Sequence, residues 1–192
     1  MTCIAGVLGA KQVALGPLAV EAGIFPFLML VAISSAVAEL YGRPVADRLV
    51  RFGFVPLITA ILLTWLVIEL PTDPGMYPPA QDAFPIILGQ SGRLMAAGIA
   101  AYGVSMTLNV LIFSKLAGLK DIGGGRLVAL RGAIASMLSQ VVDTLIFITI
   151  AFLGVRPIGN LILGQALAKV TLSIVLVPPL IALLVRLARR LG

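Results

Sequence analysis

Five apolar runs dominate this chain, and each has close to the length needed to cross a bilayer. They extend from Gly23 to Ala38, Phe52 to Leu70, Leu94 to Phe113, Leu127 to Leu153 and Leu161 to Leu187, with Arg131 near the start of the fourth and Lys169 inside the fifth. A helix needs ~20 apolar residues to cross ~30 Å of hydrocarbon. The composition agrees: 60% of residues are hydrophobic and 11% charged, and the mean hydropathy is +1.12. Soluble domains average roughly 45–50% apolar and about 25% charged residues, and one small core cannot hide this much apolar surface from water. The 192 residues suit a single integral membrane domain and leave no room for a second, soluble one.

The opening run, Met1 to Ala10, is half as long and ends at Lys11. No basic stretch precedes it and no clear small-residue cleavage site follows, so it does not read as a signal peptide. Either it is a short first helix or the chain starts partway into a longer one. Taken as a first helix, it completes an expected all-α polytopic membrane protein with six transmembrane helices.

The basic residues alternate between connections. Arg43, Arg48 and Arg51 fall between the second and third spans, Lys115, Lys120, Arg126 and Arg131 between the fourth and fifth, and Arg186, Arg189 and Arg190 at the end. The other connections carry Glu69, Asp73, Asp82 and Arg93, and Arg156 alone. Positive residues stay in the cytoplasm, so six spans place both termini there. The net charge of +6 is thus an orientation signal, and no nucleic-acid partner is expected. The segment PTDPGMYPPAQDAFP, Pro71 to Pro85, is too rich in proline to continue a helix and reads as an ordered or semi-ordered external loop. LAGLKDIGGGR, Leu116 to Arg126, reads as a flexible cytoplasmic one. No internal repeat supports an inverted-repeat transporter.

The single Cys3 excludes an intramolecular disulfide, and the chain has no histidine. Histidine acid–base chemistry, Cys/His metal sites, phosphate-binding glycine loops and nucleophile–base triads are all missing. No enzyme activity, cofactor or metal is expected.

Ionisable groups at membrane depth cost roughly 2.5–3.5 kcal/mol each on insertion scales and default to a functional reading. The candidates are Glu39 at the end of the second span, Asn109 in the fourth, Gln140 and Asp143 in the fifth and Lys169 in the sixth. In SMLSQVVDTLIFIT, residues 136–149, Gln140 and Asp143 are three apart and share a helix face, with Ser136 and Ser139 on or beside it. That face looks into protein. Asp143 and Lys169 either clasp two helices together or line a substrate cavity. The convergence of several polar groups favours the cavity. Glu39 reads as an interfacial carboxylate or a group that lines or gates the cavity. Asn109 reads first as an interhelical hydrogen bond, worth about 0.6 kcal/mol on average in membranes, and second as a ligand contact. Lys115, Arg131 and Arg186 read as interface anchors. Small residues four apart (Ala5 with Gly9, Gly6 with Ala10, Ala97 with Ala101) allow close helix packing, or docking of a partner such as a second copy in a homo-oligomer. Trp65 and Tyr77 suit the aromatic belt at the outer interface.

Three stretches resemble the queuosine-precursor transporter family, also called the vitamin uptake transporter family: Ser34 to Phe54, Leu130 to Phe152 with its SQxxDT core, and Gly164 to Pro179. FPIILGQSGRLMAAGIAAY, Phe84 to Tyr102, also fits. The family pattern usually has an acidic residue where Asn109 stands, an Asp near Ala36, and often a proline where Gly92 stands. The resemblance implies import of a 7-deazaguanine precursor of queuosine, 7-cyano-7-deazaguanine or 7-aminomethyl-7-deazaguanine, across the inner membrane. It also implies a fold similar to the six-helix substrate-binding subunits of energy-coupling-factor transporters, in a protein working without their ATPase motor. The chemistry agrees. A guanine-like edge offers two parallel N–H donors, which a carboxylate such as Asp143 accepts together, while Gln140 or Lys169 can donate to the ring carbonyl. The alternative is a substrate-capture subunit that needs a separate motor. A structural membrane subunit with no solute is the third reading.

Overall fold

The computed structural model describes residues 2–9, 11–15, 18–89, 92–116, 125–154 and 157–191. Seven helices and one hairpin follow in chain order. They are α1 (Thr2–Gly9), β1 (Gln12–Leu15), β2 (Leu18–Glu21), α2 (Ile24–Tyr41), α3 (Arg43–Glu69), α4 (Pro78–Leu88), α5 (Gly92–Lys115), α6 (Gly125–Phe152) and α7 (Gly159–Leu191). Among the described residues, five helices are long and apolar enough to cross a membrane, and they coincide with the five apolar runs. The protein is an all-α polytopic membrane protein. The sixth span is not found among the described residues: where a first span was expected stands α1, whose 8 residues rise only about 12 Å, too little to cross the hydrocarbon. The connection expected between Leu116 and Arg126 lies mostly outside the described residues.

Two elements differ from expectation. The proline-rich stretch ends in a helix, because Pro78 and Pro79 occupy its first turn. There the backbone N–H has no helical partner to lose and the fixed φ is already helical. None of the α4 residues is buried. The second difference is the hairpin between α1 and α2, in which Gln12 faces Glu21 and Leu15 faces Leu18 in antiparallel register.

The long helices alternate in direction. The ends near Gly42, Lys115 and Arg186 gather on one side, and the ends near Leu70, Gly92 and Gly159 on the other. The turn from α2 into α3 is a single residue, Gly42, at φ 83°; that left-handed backbone favours glycine. Helix α6 packs most extensively, between α5 and α7. A side chain at Gly132 would run into Ile181 of α7, and one at Gly53 of α3 would run into the Tyr102 hydroxyl of α5. The apolar core fills the Gly42 half of the bundle, with Met106, Val110, Phe113, Val177 and Ile181 all buried, and reaches Val31 and Leu28 towards the other half. The outer face of α3 exposes Phe52, Val55, Ile58, Leu62 and Trp65. A patch of this kind on a helix of spanning length is a lipid face.

Candidate functional site

The Gly92 half of the bundle is hollow. A cavity of about 220 Å³ lies between α1, β2, α2, α3, α5, α6 and α7. Its walls are mostly apolar, with Phe27, Leu57, Ile61, Met95, Ile99 and Phe147 among them, and its polar lining is Glu21, Tyr102, Gln140, Asp143 and Lys169.

Helical spacing places Gln140 and Asp143 on one face of α6, and α7 brings Lys169 opposite. The Lys169 ammonium donates to Asp143 Oδ2 at 3.1 Å, and Ser105 Oγ of α5 donates to Oδ1 at 3.1 Å. Both charged residues are 7% exposed. The ammonium also lies 6.0 Å from the Phe147 ring centroid, at the outer reach of a cation–π contact. Each partner retains capacity, because a carboxylate has about four lone-pair sites and an ammonium three N–H bonds.

Gln140 differs from this pair. It is fully buried, yet neither its Nε2 nor its Oε1 has a hydrogen-bond partner. An unpartnered buried polar group costs about 1–3 kcal/mol, and this side chain carries two such atoms on the cavity wall. Beside it, the Tyr102 hydroxyl donates to the Val50 carbonyl at 3.2 Å, and its ring meets Phe54 edge-on at 4.9 Å. Near the hairpin, Glu21 Oε1 accepts from Gln165 Nε2 at 3.4 Å. Arg93, at the start of α5, donates to the carbonyls of Ile150 and Leu153 and so ties α5 to the closing turn of α6.

The structure brings Gln140, Asp143 and Lys169 together around the cavity and leaves Glu39 and Asn109 outside its lining. Glu39 sits toward the Gly42 side, 3.0 Å from Arg131 Nη1. Arg131 also donates to the Phe113 carbonyl and stacks 4.4 Å over the Phe113 ring. It is held inside the bundle more firmly than an interface anchor. The Asn109 amide donates to Ser35 Oγ at 3.1 Å and to Ser34 Oγ at 3.4 Å, which makes it an α2–α5 link. Sequence reasoning missed Glu21, which stands outside the long apolar runs and reaches the cavity only because the chain folds back as a hairpin. It also left no aromatic assigned to the cavity, where Phe27, Tyr102 and Phe147 now stand. No group of residues suited to hold a metal ion occurs among the described residues.

An ion pair and an unpartnered amide around a small cavity, inside a bundle with lipid-facing walls, define a membrane protein with a polar-lined space in its interior. Residues 21–183 match the family described as "Putative vitamin uptake transporter", and the chain belongs to this family of transporters. It is 29% identical over 143 residues to the "Probable queuosine precursor transporter" of Bacillus subtilis (strain 168), an alignment covering 73% of this chain and 61% of that relative. The chain therefore spans less than two thirds of that relative's length. No solved structure matches the chain.

Proposed function

We propose that this protein imports a 7-deazaguanine precursor of queuosine across the inner membrane, with its C-terminus in the cytoplasm. The observation that carries the reading is the Gln140 amide, buried on the cavity wall with both polar atoms unpartnered, next to the Asp143–Lys169 pair. Such an amide, with one donor group and one acceptor, suits the lactam edge of a flat base. In this reading Asp143 accepts the ring N–H and the 2-amino group, and Gln140 and Lys169 donate to the ring carbonyl. Phe147 and Tyr102 supply aromatic walls. Size supports it too: about 220 Å³ lies below the ~300–1,000 Å³ of drug-sized sites, which suits a single fused-ring base better than a nucleotide. The name of the Bacillus relative points to the same solute class.

The test is uptake by this chain alone, in a host that cannot make the precursor and lacks energy-coupling-factor components. Restored queuosine in the host's transfer RNA supports the reading. Competition then checks the residue roles. Sites that pair a polar group reject analogues lacking it by about 10⁴-fold in favourable cases, so 7-deazaguanines should displace label far better than adenine or hypoxanthine. Equal competition by adenine would show that Asp143 does not read the donor edge.

A further inference from the structure

The charged groups on the cavity wall do not balance. Asp143 is matched by Lys169 at 3.1 Å. Glu21 has no ion-pair partner among the described residues; its hydrogen-bond partner is the neutral amide of Gln165, which is 4% exposed. Lys11 is the nearest cation along the chain, but its side chain is exposed and absent from the cavity lining, and its backbone carbonyl accepts from Ala22. Arg93, near the same end, spends its guanidinium on the α6 carbonyls. One ammonium therefore faces two carboxylates within walls that are mainly apolar, where a charge is screened far less than in water.

We infer that Glu21 makes the cavity selective for a ligand carrying a positive charge. Among flat bases, one with a protonated aminomethyl arm is then bound ahead of its neutral nitrile counterpart. The inference rests on the reading of the cavity as a base site and adds which base. Geometry and charge agree. If Asp143 and Gln140 of α6 hold the pyrimidine edge, the substituent at position seven leaves the five-membered ring, away from the two N–H donors that Asp143 accepts. Glu21 reaches the cavity from the hairpin, which packs against α7, and is separate from the α6 groups that hold that edge. The Gln165 amide donates one hydrogen bond to Oε1 and brings no countercharge, which leaves lone-pair sites of the carboxylate for an incoming ammonium. A nitrile offers only an acceptor, which a carboxylate repels.

Displacement binding on the purified full chain tests this, with the aminomethyl base, its N-acetylated form and the nitrile base as probes. The wild-type protein should bind the aminomethyl base at least about tenfold tighter than either neutral probe, a difference of about 1.4 kcal/mol. In Glu21→Gln the preference should fall to about threefold or less, and Glu21→Asp should retain most of it. The wild-type ranking needs no variant to fold. A nitrile base bound as tightly as the aminomethyl base by the wild type overturns the inference while leaving the import reading intact. So does an unchanged preference in Glu21→Gln. If affinity instead tracks sodium or potassium concentration and Glu21→Gln removes that dependence, the carboxylate holds an inorganic ion and the inference is wrong. If none of the probes binds, the import reading falls and takes this inference with it.

Discussion

Asp143 is the residue on which two roles compete, because one of its oxygens is held by Lys169 and the other by Ser105. Packing and binding make different predictions for it. Removing one member of a buried ion pair leaves an uncompensated charge and costs about 3–5 kcal/mol. Lys169→Met should therefore lower the melting temperature of the solubilised protein, and adding Asp143→Asn should restore most of it. Uptake should stay lost in the double variant, since the ligand's two donors no longer meet a carboxylate. Recovery of uptake there would reduce the pair to a clasp between α6 and α7. Gln140 gives the cleaner contrast, because no protein group depends on its amide. Gln140→Leu keeps the approximate size and removes two unpartnered polar atoms, so the melting temperature should hold or rise. Ligand affinity should drop by roughly 5- to 150-fold, the equivalent of about 1–3 kcal/mol for groups left unpaired. A variant that melts early but binds normally would assign Gln140 to packing.

At the scale of elements, two helical glycines separate packing from cavity. Gly98 of α5 lines the cavity, and a side chain there would meet nothing within 4 Å. Gly98→Leu adds helix propensity of up to about 1 kcal/mol and fills the space a ligand needs. We expect a fold at least as stable as wild type with uptake abolished, measured by melting and by transport. Gly132→Leu would drive α6 off Ile181 of α7, and overpacking of this kind costs about 1–3 kcal/mol, so here stability should fall first. Which elements could be read from the sequence follows from the same physics. Helices α2, α3, α5, α6 and α7 were legible because lipid imposes long apolar runs on any spanning helix. The hairpin was not, because QVALGPLAVE is apolar on both sides of a Gly-Pro pair and β2 packs against α7, an element far along the chain. Helix α4 was hidden by prolines that sit in its first turn and near its end. In the site, Gln140, Asp143 and Lys169 stood out as polar groups where hydrocarbon penalises them. Glu39 stood out equally, but its partner Arg131 lies 92 residues further along the chain, and only the packing of α2 beside α6 revealed that the two satisfy each other.

Across the whole molecule, packing and cavity divide the bundle along its axis. The half with Gly42 and Lys115 is filled by Val110, Phe113 and Ile181, and the half with Leu70 and Gly92 is hollow. The basic residues divide along the same axis, with Arg43, Arg48, Arg51, Lys115, Arg186, Arg189 and Arg190 on the filled side. Loops carrying such charge stay in the cytoplasm, so the hollow half should face outward. Under the proposed import, a cavity in the outward half above a packed cytoplasmic half suits solute capture from outside, and delivery then requires the packing around Phe113 and Ile181 to loosen. The orientation can be checked by single-cysteine labelling in a Cys3→Ser background. Asp73→Cys, exposed before α4, should react with an impermeant maleimide in intact cells. Arg48→Cys, exposed in the first turns of α3, should react only after permeabilisation, and a reporter fused at Gly192 should read as cytoplasmic. The opposite labelling pattern would turn the cavity toward the cytoplasm. The same geometry would then describe an inward-open or exporting protein, and the argument that ties the hollow half to solute capture from outside would fail.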